Sequence, residues 1–89
     1  MKKLLSVGYA SSFVREFHKL EAALRKEVRF TIEEFRDRNN HTQLDVHKLH
    51  GRLKNRLSFS VNYKYRVVFE WEGKDGAILK AVGDHDIYK

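Results

Sequence analysis

The chain has 89 residues, of which 42% are hydrophobic, so it can bury the core of one small domain. It contains no cysteine, which excludes disulfide bridges and thiolate metal sites, and no apolar run approaches the roughly 20 residues that a membrane-spanning helix needs. We therefore expect a soluble cytoplasmic protein in which residues 1–89 form one domain, with no membrane partner.

The net charge of +6 is concentrated in one segment. Residues 46–69 contain no Asp or Glu and six basic residues, namely Lys48, Arg52, Lys54, Arg56, Lys64 and Arg66. The rest of the chain carries the other twelve basic residues and all twelve acidic ones, so its formal charge is zero. A neutral scaffold with one basic segment is typical of a surface that meets an anion. A nucleic acid is the first candidate partner and an acidic protein the second.

The first half of the chain predicts a strand followed by helix. Residues 3–9 have the pattern of a short strand, and Ser11 or Ser12 can cap the helix that follows. Hydrophobic residues then recur at the helical spacings of three and four, at Phe13, Phe17, Leu20, Leu24, Val28, Ile32 and Phe35. Because the run to Arg38 is long for one helix, we expect two helices, or one kinked helix, with a break within residues 20–23. The polar residues 39–42 end the helical region.

The second half predicts three antiparallel strands, after a connecting turn around residues 44–49 and a bend at Gly51. Apolar and polar side chains alternate in the first two strands, which is typical of a half-buried sheet. The strands are expected at 57–61, 65–72 and 77–83, with turns at 62–64 and 74–76.

These elements predict an α+β fold in the order strand, helix, helix and three antiparallel strands. The helices should pack on the sheet face that bears Phe59, Phe69 and Trp71. The opposite face then carries small side chains and one cation, at Ser58, Ser60 and Arg66.

Five short motifs follow one another along nearly the whole chain. They are Phe13-x3-Phe17-x2-Leu20, Lys48-Leu49-His50-Gly51, Ser58-Phe59-Ser60-Val61, Tyr65-Arg66-Val67-Val68-Phe69 and Val82-Gly83-x-His85-x2-Tyr88. In this order and spacing the chain resembles the toxins of bacterial RelE/ParE-type toxin–antitoxin systems, and in its ending the RelE-like branch. The resemblance implies the same small α+β domain that the patterns predict.

In the RelE branch, the resemblance implies a ribosome-dependent endoribonuclease that cleaves mRNA and so inhibits translation. Its partners would be the ribosome, mRNA and a cognate antitoxin that forms a hetero-oligomer with the toxin. The implied catalytic residues are Arg66 on the scissile phosphate, His85 as general acid or base, and Tyr88, which stacks on a base or orients the proton transfer. This chemistry needs no metal and no cofactor.

Further residues are expected to hold the RNA backbone without reading its sequence. They are Lys48, His50, Arg52, Lys54, Arg56 and Lys64. By the resemblance, His50 takes the position of the family's basic residue before the turn glycine. Ser58 and Ser60 stand where some members carry two lysines, which leaves no lysine there to act as general base.

Two other functions are compatible with this sequence. A ParE-like toxin that acts on DNA gyrase would share the fold without being a nuclease, and a catalytically inactive relative would only bind RNA. The candidate residues also have structural explanations: Arg66 can pair with Glu70 on its own face, and Tyr88 can pack over the sheet edge. His47-x2-His50, with His41 nearby, suggests zinc, but the lack of cysteine and of paired carboxylates argues against a metal site.

Overall fold

The computed structural model describes residues 3–51 and 55–84, and it confirms the predicted α+β class. Its elements are β1 (Ser6–Tyr9), α1 (Ser11–His18), α2 (Ala22–Phe35), a 3-10 helix (Arg38–Asn40), β2 (His47–Lys48), β3 (Leu57–Ser60), β4 (Arg66–Glu72) and β5 (Gly76–Gly83). The strands form one sheet in the order β1-β5-β4-β3-β2, in which β1 runs parallel to β5 and all other neighbours are antiparallel. Within the described ranges, the helices are too short or too polar to cross a membrane.

The first strand is shorter than predicted and lies at an edge of the sheet. Its pairing with β5 begins at Ser6, because the preceding residue bonds elsewhere. Leu5 N donates to Arg36 O, and Arg36 Nε donates back to Leu5 O, both at 2.9 Å. This reciprocal pair joins the start of β1 to the end of α2, and it buries the Leu5 side chain in the core.

The helical region breaks where the sequence predicts, between His18 and Ala22. The N–H groups of Lys19 and Leu20 close the end of α1 on the carbonyls of residues 16 and 17, which tightens the last turn and stops the helix. The predicted serine cap is wrong: the residue before α1 is Ala10, which offers no side-chain cap. Ser12 Oγ instead donates to Lys80 O at 2.6 Å, so it ties α1 to the sheet.

The core lies between the two helices and the predicted face of the sheet. Phe35 is its centre: its ring stacks on Phe59 at 4.4 Å between centroids and meets the Phe69 ring at 4.8 Å. All three side chains are fully buried, which places a large apolar area out of water. From the predicted helical stripe, Phe13, Val28, Ile32 and Phe35 are buried, and Phe17, Leu20 and Leu24 pack partly buried against them. Trp71 lies at the rim and is 40% exposed.

The short strand β2 falls where the sequence predicts only a connecting turn. His47 pairs with Ser58, and Lys48 pairs with Leu57. Leu49 N extends the ladder by donating to Arg56 O at 2.9 Å. A strand of two residues is too short to show an alternating pattern, which is why sequence reasoning misses it.

The last strand is irregular where it leaves β1. Val68 pairs with Ala81 and Phe69 pairs with Leu79, so Lys80 is an extra residue on β5 and forms a bulge. Beyond this point α1 supplies the bonds that β1 no longer makes, since Val82 N donates to Glu16 Oε1 at 3.1 Å. Helix α1 therefore holds the end of β5 in place.

A cluster of charged side chains joins Lys3 and Arg38 to the β4–β5 turn. This turn begins at Gly73, one residue earlier than the sequence predicts, and Gly73 has a positive φ of 64°. Asp75 in this turn lies 2.8 Å from Lys3 Nζ and 3.6 Å from Arg38 Nη1. The hydrogen bond from Lys3 is the largest cause that holds the pKa of Asp75 below its ordinary value, and the charges of Lys3 and Arg38 add to it.

Candidate functional site

Arg66 begins β4 and lies between two small residues on the neighbouring strands. It pairs with Ser60 of β3 and with Gly83 of β5. Its half-buried guanidinium turns back to the β3–β4 turn, where Nη1 donates to Tyr65 O at 3.1 Å and also to Asn62 O. These acceptors engage a single nitrogen of the planar group, which has several further N–H donors. The backbone therefore holds the cation at one end of the sheet.

The carboxylate that the sequence suggests as a partner of Arg66 is bonded to another arginine. Arg56 Nε donates to Glu70 Oε2 at 3.0 Å. Glu70 lies four residues beyond Arg66, which is about 13 Å along an extended strand and beyond ordinary contact. Within residues 3–51 and 55–84, no carboxylate forms an ion pair with Arg66. The two arginines therefore differ. Glu70 balances the charge of Arg56, whereas no described carboxylate balances the charge of Arg66.

The small side chains predicted on the sheet face opposite the helices, Ser58 and Ser60, are only partly accessible. Ser58 is fully buried, and Val68, its partner on β4 and on the same face, is 1% exposed. Ser60, next to Arg66, is half-buried. Of the two serines expected on this face, only Ser60 is therefore partly accessible to a ligand.

The described residues among those predicted to bind the RNA backbone lie at separate places on the sheet. Lys48, His50 and Lys64 are exposed. Lys64 lies in the β3–β4 turn close to Arg66, whereas Lys48 pairs with Leu57, three residues further along the sheet and on the face that the helices cover. Four predicted site residues lie outside the described residues: Arg52, Lys54, His85 and Tyr88.

The β3–β4 turn contains a residue that the sequence analysis did not single out. Tyr63 is 89% exposed at its tip. Asn62 Oδ1 accepts hydrogen bonds from Lys64 N at 2.9 Å and from Tyr65 N at 2.8 Å, which fixes the backbone around the tyrosine. An aromatic residue between Asn and Lys in a predicted turn is the signal that would have drawn attention to it.

An open cleft of about 450 Å³ lies beside this turn, where the α1–α2 junction approaches it. Asn62, one of the residues that line the cleft, donates through Nδ2 to Glu27 Oε1 at 2.9 Å. The cleft is lined by side chains of both charges, among them Lys19, Glu21, Glu27 and Lys64. This mixture does not favour a polyanion on the helix side of the turn.

Two of the three histidines that suggest zinc, His41 and His47, lie at hydrogen-bond distance from backbone carbonyls. His41 Nε2 lies 2.7 Å from Phe35 O and its ring stacks on that of Phe35, while His47 Nδ1 lies 2.8 Å from Asp45 O. In the part of the chain that the structure describes, no three His, Asp or Glu side chains come together as metal ligands.

Comparison with known proteins finds likeness in structure and not in sequence. No family model and no curated protein sequence matches the chain. The structure is similar to the toxin–antitoxin complex RelBE2 from Mycobacterium tuberculosis, with a TM-score of 0.74 and 15% identity over 92% of this chain and 99% of that one. It is also similar to a conserved hypothetical protein from Helicobacter pylori, with a TM-score of 0.74 and 20% identity over 93% and 97% of the two chains.

A third likeness is to the DinJ–YafQ toxin–antitoxin complex from Escherichia coli, with a TM-score of 0.70 and 12% identity over 94% and 96% of the two chains. At these identities the likeness concerns the fold. This chain therefore has the fold of the RelE-type toxins of toxin–antitoxin systems.

Proposed function

We propose that this protein is the toxin of a toxin–antitoxin system, of the RelE-like branch, and that it cleaves ribosome-bound mRNA. The observation that carries the proposal is the pairing of Arg66 with Gly83. It brings a cation that no described carboxylate neutralises next to the strand end from which the chain continues to His85 and Tyr88. Glu70, which lies on the same strand and face as Arg66, is too far along the strand to pair with it and is bonded to Arg56.

Covalent geometry limits how far His85 can be from Arg66. Paired Cα atoms of antiparallel strands lie about 5 Å apart. His85 follows Gly83 by two residues, so its Cα is within about 7 Å of that glycine's Cα. An arginine and a histidine side chain attached this close together can both reach one phosphate group.

RNA cleavage by these groups would proceed by in-line attack within the substrate. The 2′-hydroxyl loses its proton and bonds to phosphorus, and the bond to the 5′-oxygen breaks as that oxygen gains a proton. The products are a 2′,3′-cyclic phosphate and a 5′-hydroxyl. His85 would serve in proton transfer, since an imidazole titrates near neutral pH. Arg66 would stabilise the charge on the phosphorane, a contribution of about 3 kcal/mol for a preorganised donor.

Tyr88 would stack on a base or orient the proton transfer. The exposed Lys48, His50 and Lys64, together with Arg52 and Lys54, would contact the RNA or ribosomal backbone. Arg56 would contribute less, because Glu70 already offsets its charge. The chemistry needs no metal or cofactor, and the ribosome would position the mRNA.

An antitoxin is the proposed protein partner, and the protein would work in the cytoplasm. Two of the similar structures are toxin–antitoxin complexes. An acidic or amphipathic antitoxin segment laid over the helices and the basic sheet face would neutralise the toxin. The charge distribution supports this, since the excess of +6 resides within residues 46–69.

Growth arrest in bacteria tests the proposal. Induction of the wild-type chain should stop growth, and Arg66→Ala and His85→Ala should each restore it although the variants remain folded. Arg15→Ala, which removes an exposed arginine from α1, is the matched control and should arrest growth like the wild type. Full toxicity of both site variants, with a block in DNA replication, would point to a gyrase poison and refute the nuclease.

A further inference from the structure

Tyr63 at the tip of the β3–β4 turn is more exposed than any other large hydrophobic side chain in residues 3–51 and 55–84. Its exposed fraction is 89%, and the next, Phe30, is 66% exposed. A single exposed aromatic residue is common on protein surfaces and does not by itself indicate a binding site. Tyr63 differs from such residues in its surroundings, which combine a fixed backbone with neighbouring positive charges.

The backbone around Tyr63 is fixed before any ligand arrives. Asn62 Oδ1 accepts from the N–H groups of both Lys64 and Tyr65, and Val61 N closes the turn on Tyr65 O at 3.0 Å. Asn62 also anchors the turn to α2 through Glu27. A preordered turn loses little backbone entropy on binding, and a tyrosine has only two side-chain torsions to restrict.

Cations lie beside Tyr63, and one of them is the proposed phosphate ligand. Lys64 is exposed directly after it, and the Arg66 guanidinium donates to the carbonyls of Asn62 and Tyr65. The turn and Arg66 are thus one hydrogen-bonded unit. Acidic residues are absent from the sequence of this whole segment, 46–69. An aromatic ring next to positive charges suits a ligand that presents both flat bases and phosphates.

We propose that Tyr63 stacks on a nucleobase of single-stranded RNA while Lys64 contacts the adjoining backbone phosphate. This inference rests on the proposed function, which it extends by a binding element outside the Arg66, His85 and Tyr88 group. Arg66 lies three positions beyond Tyr63, at most about 11 Å of chain. The stacked base therefore belongs to a nucleotide close to the cleaved bond, and the turn positions the strand whose scissile phosphate meets Arg66.

Binding of a fluorescein-labelled 12-nucleotide single-stranded RNA, measured by anisotropy at fixed salt, tests this directly. Tyr63→Ala should weaken binding about 5- to 150-fold, the range for loss of one base–aromatic stack. Tyr63→Phe keeps the ring and should stay within about twofold of the wild type. Phe30→Ala removes another exposed ring, on α2, and should leave binding unchanged. Thermal unfolding checks that each variant is folded.

Equal binding by Tyr63→Ala and the wild type would overturn the inference, as would equal losses in Tyr63→Ala and Phe30→Ala or no RNA binding by the wild type. Unchanged RNA binding with weaker antitoxin binding in Tyr63→Ala would also overturn it and assign the ring to a protein interface. The growth assay tests the proposed function separately. A wild type that binds RNA through Tyr63 but arrests no growth would refute the nuclease and leave the stacking contact standing.

Discussion

Glu70 on β4 accepts a hydrogen bond from Arg56 at 3.0 Å, and this contact decides how the two arginines on the sheet face opposite the helices differ. Both were candidates for binding RNA on sequence grounds. The carboxylate neutralises Arg56 across the strands, whereas Arg66, at the start of the same strand as Glu70, is bonded to backbone carbonyls. Carbonyl groups orient a guanidinium without cancelling its charge, so Arg66 keeps the electrostatic attraction for a phosphate.

The difference between the arginines predicts unequal effects on activity. Arg56→Ala should reduce mRNA cleavage much less than Arg66→Ala, because its charge is already offset by Glu70. The ion pair is partly exposed, so its coupling energy in a double-mutant cycle of Arg56→Ala and Glu70→Ala should be about 0.2–1 kcal/mol. Urea unfolding of the four proteins measures it. Equal loss of cleavage in the two arginine variants would contradict the assignment.

Phe35 should be the most sensitive position of the hydrophobic core. Phe35→Ala removes a ring that contacts both Phe59 and Phe69, and it should lower the free energy of unfolding by about 3–5 kcal/mol. Phe30→Ala, on the exposed side of the same helix, should change it by no more than about 0.5 kcal/mol. Urea unfolding compares the two. Similar losses at both positions would mean that the helix packs through another face.

The lowered pKa of Asp75 predicts that the stability of the fold depends on pH. Its pKa is lower in the folded protein than its ordinary value, chiefly through the hydrogen bond from Lys3, so the unfolded chain binds the proton more tightly. The stabilisation is therefore complete above the ordinary pKa of the carboxyl group and is lost as pH falls through the lowered folded pKa. Asp75→Asn should be less stable than the wild type at neutral pH, and the gap should close in acid.

Urea midpoints measured from pH 7 down to pH 2 test this, with Glu72→Gln, an exposed neighbour on β4, as the control. That control should follow the wild type at every pH. A difference between Asp75→Asn and the wild type that stayed constant across the range would show that the ion pairs with Lys3 and Arg38 are not its source.

Glu16 should influence activity from a distance, because it holds the end of β5. Its carboxylate accepts from Val82 N, one residue before the glycine that pairs with Arg66. Glu16→Ala should raise the hydrogen-exchange rate of the Val82 amide and reduce cleavage, while Glu16→Gln, which keeps an acceptor oxygen, should restore most of both. Unaltered exchange at Val82 in Glu16→Ala would remove this role.

The elements that repeat a pattern were predictable from the sequence. The stripe of three- and four-residue spacings identified the helices and their buried face, and the alternation around Phe59 and Phe69 identified β3 and β4. Two features were not predictable, because each depends on a distant partner. The strand β2 exists only through its pairing with β3, and Ser12 bonds to Lys80 instead of capping its own helix.

The candidate site also contains features that the sequence predicts and features that it does not. Arg66 was predicted from its strand and its motif, but the identity of Glu70's partner depends on the register of β3 against β4. Tyr63 gives no periodic signal, since a single residue in a turn cannot, and only its exposure and its fixed backbone draw attention to it.

The most direct test of the central claim is 5′-end mapping of mRNA in a translating extract, with the wild type, Arg66→Ala, Arg66→Lys and His85→Ala compared at equal concentration. The wild type should create new 5′ ends within the codon held in the ribosomal decoding site. Both alanine variants should reduce them about 100-fold or more, and Arg66→Lys, which keeps the charge but not the planar fork, should retain part of the activity. Intact mRNA with the folded wild type, or the same ends with all four proteins, would contradict a nuclease built on Arg66 and His85.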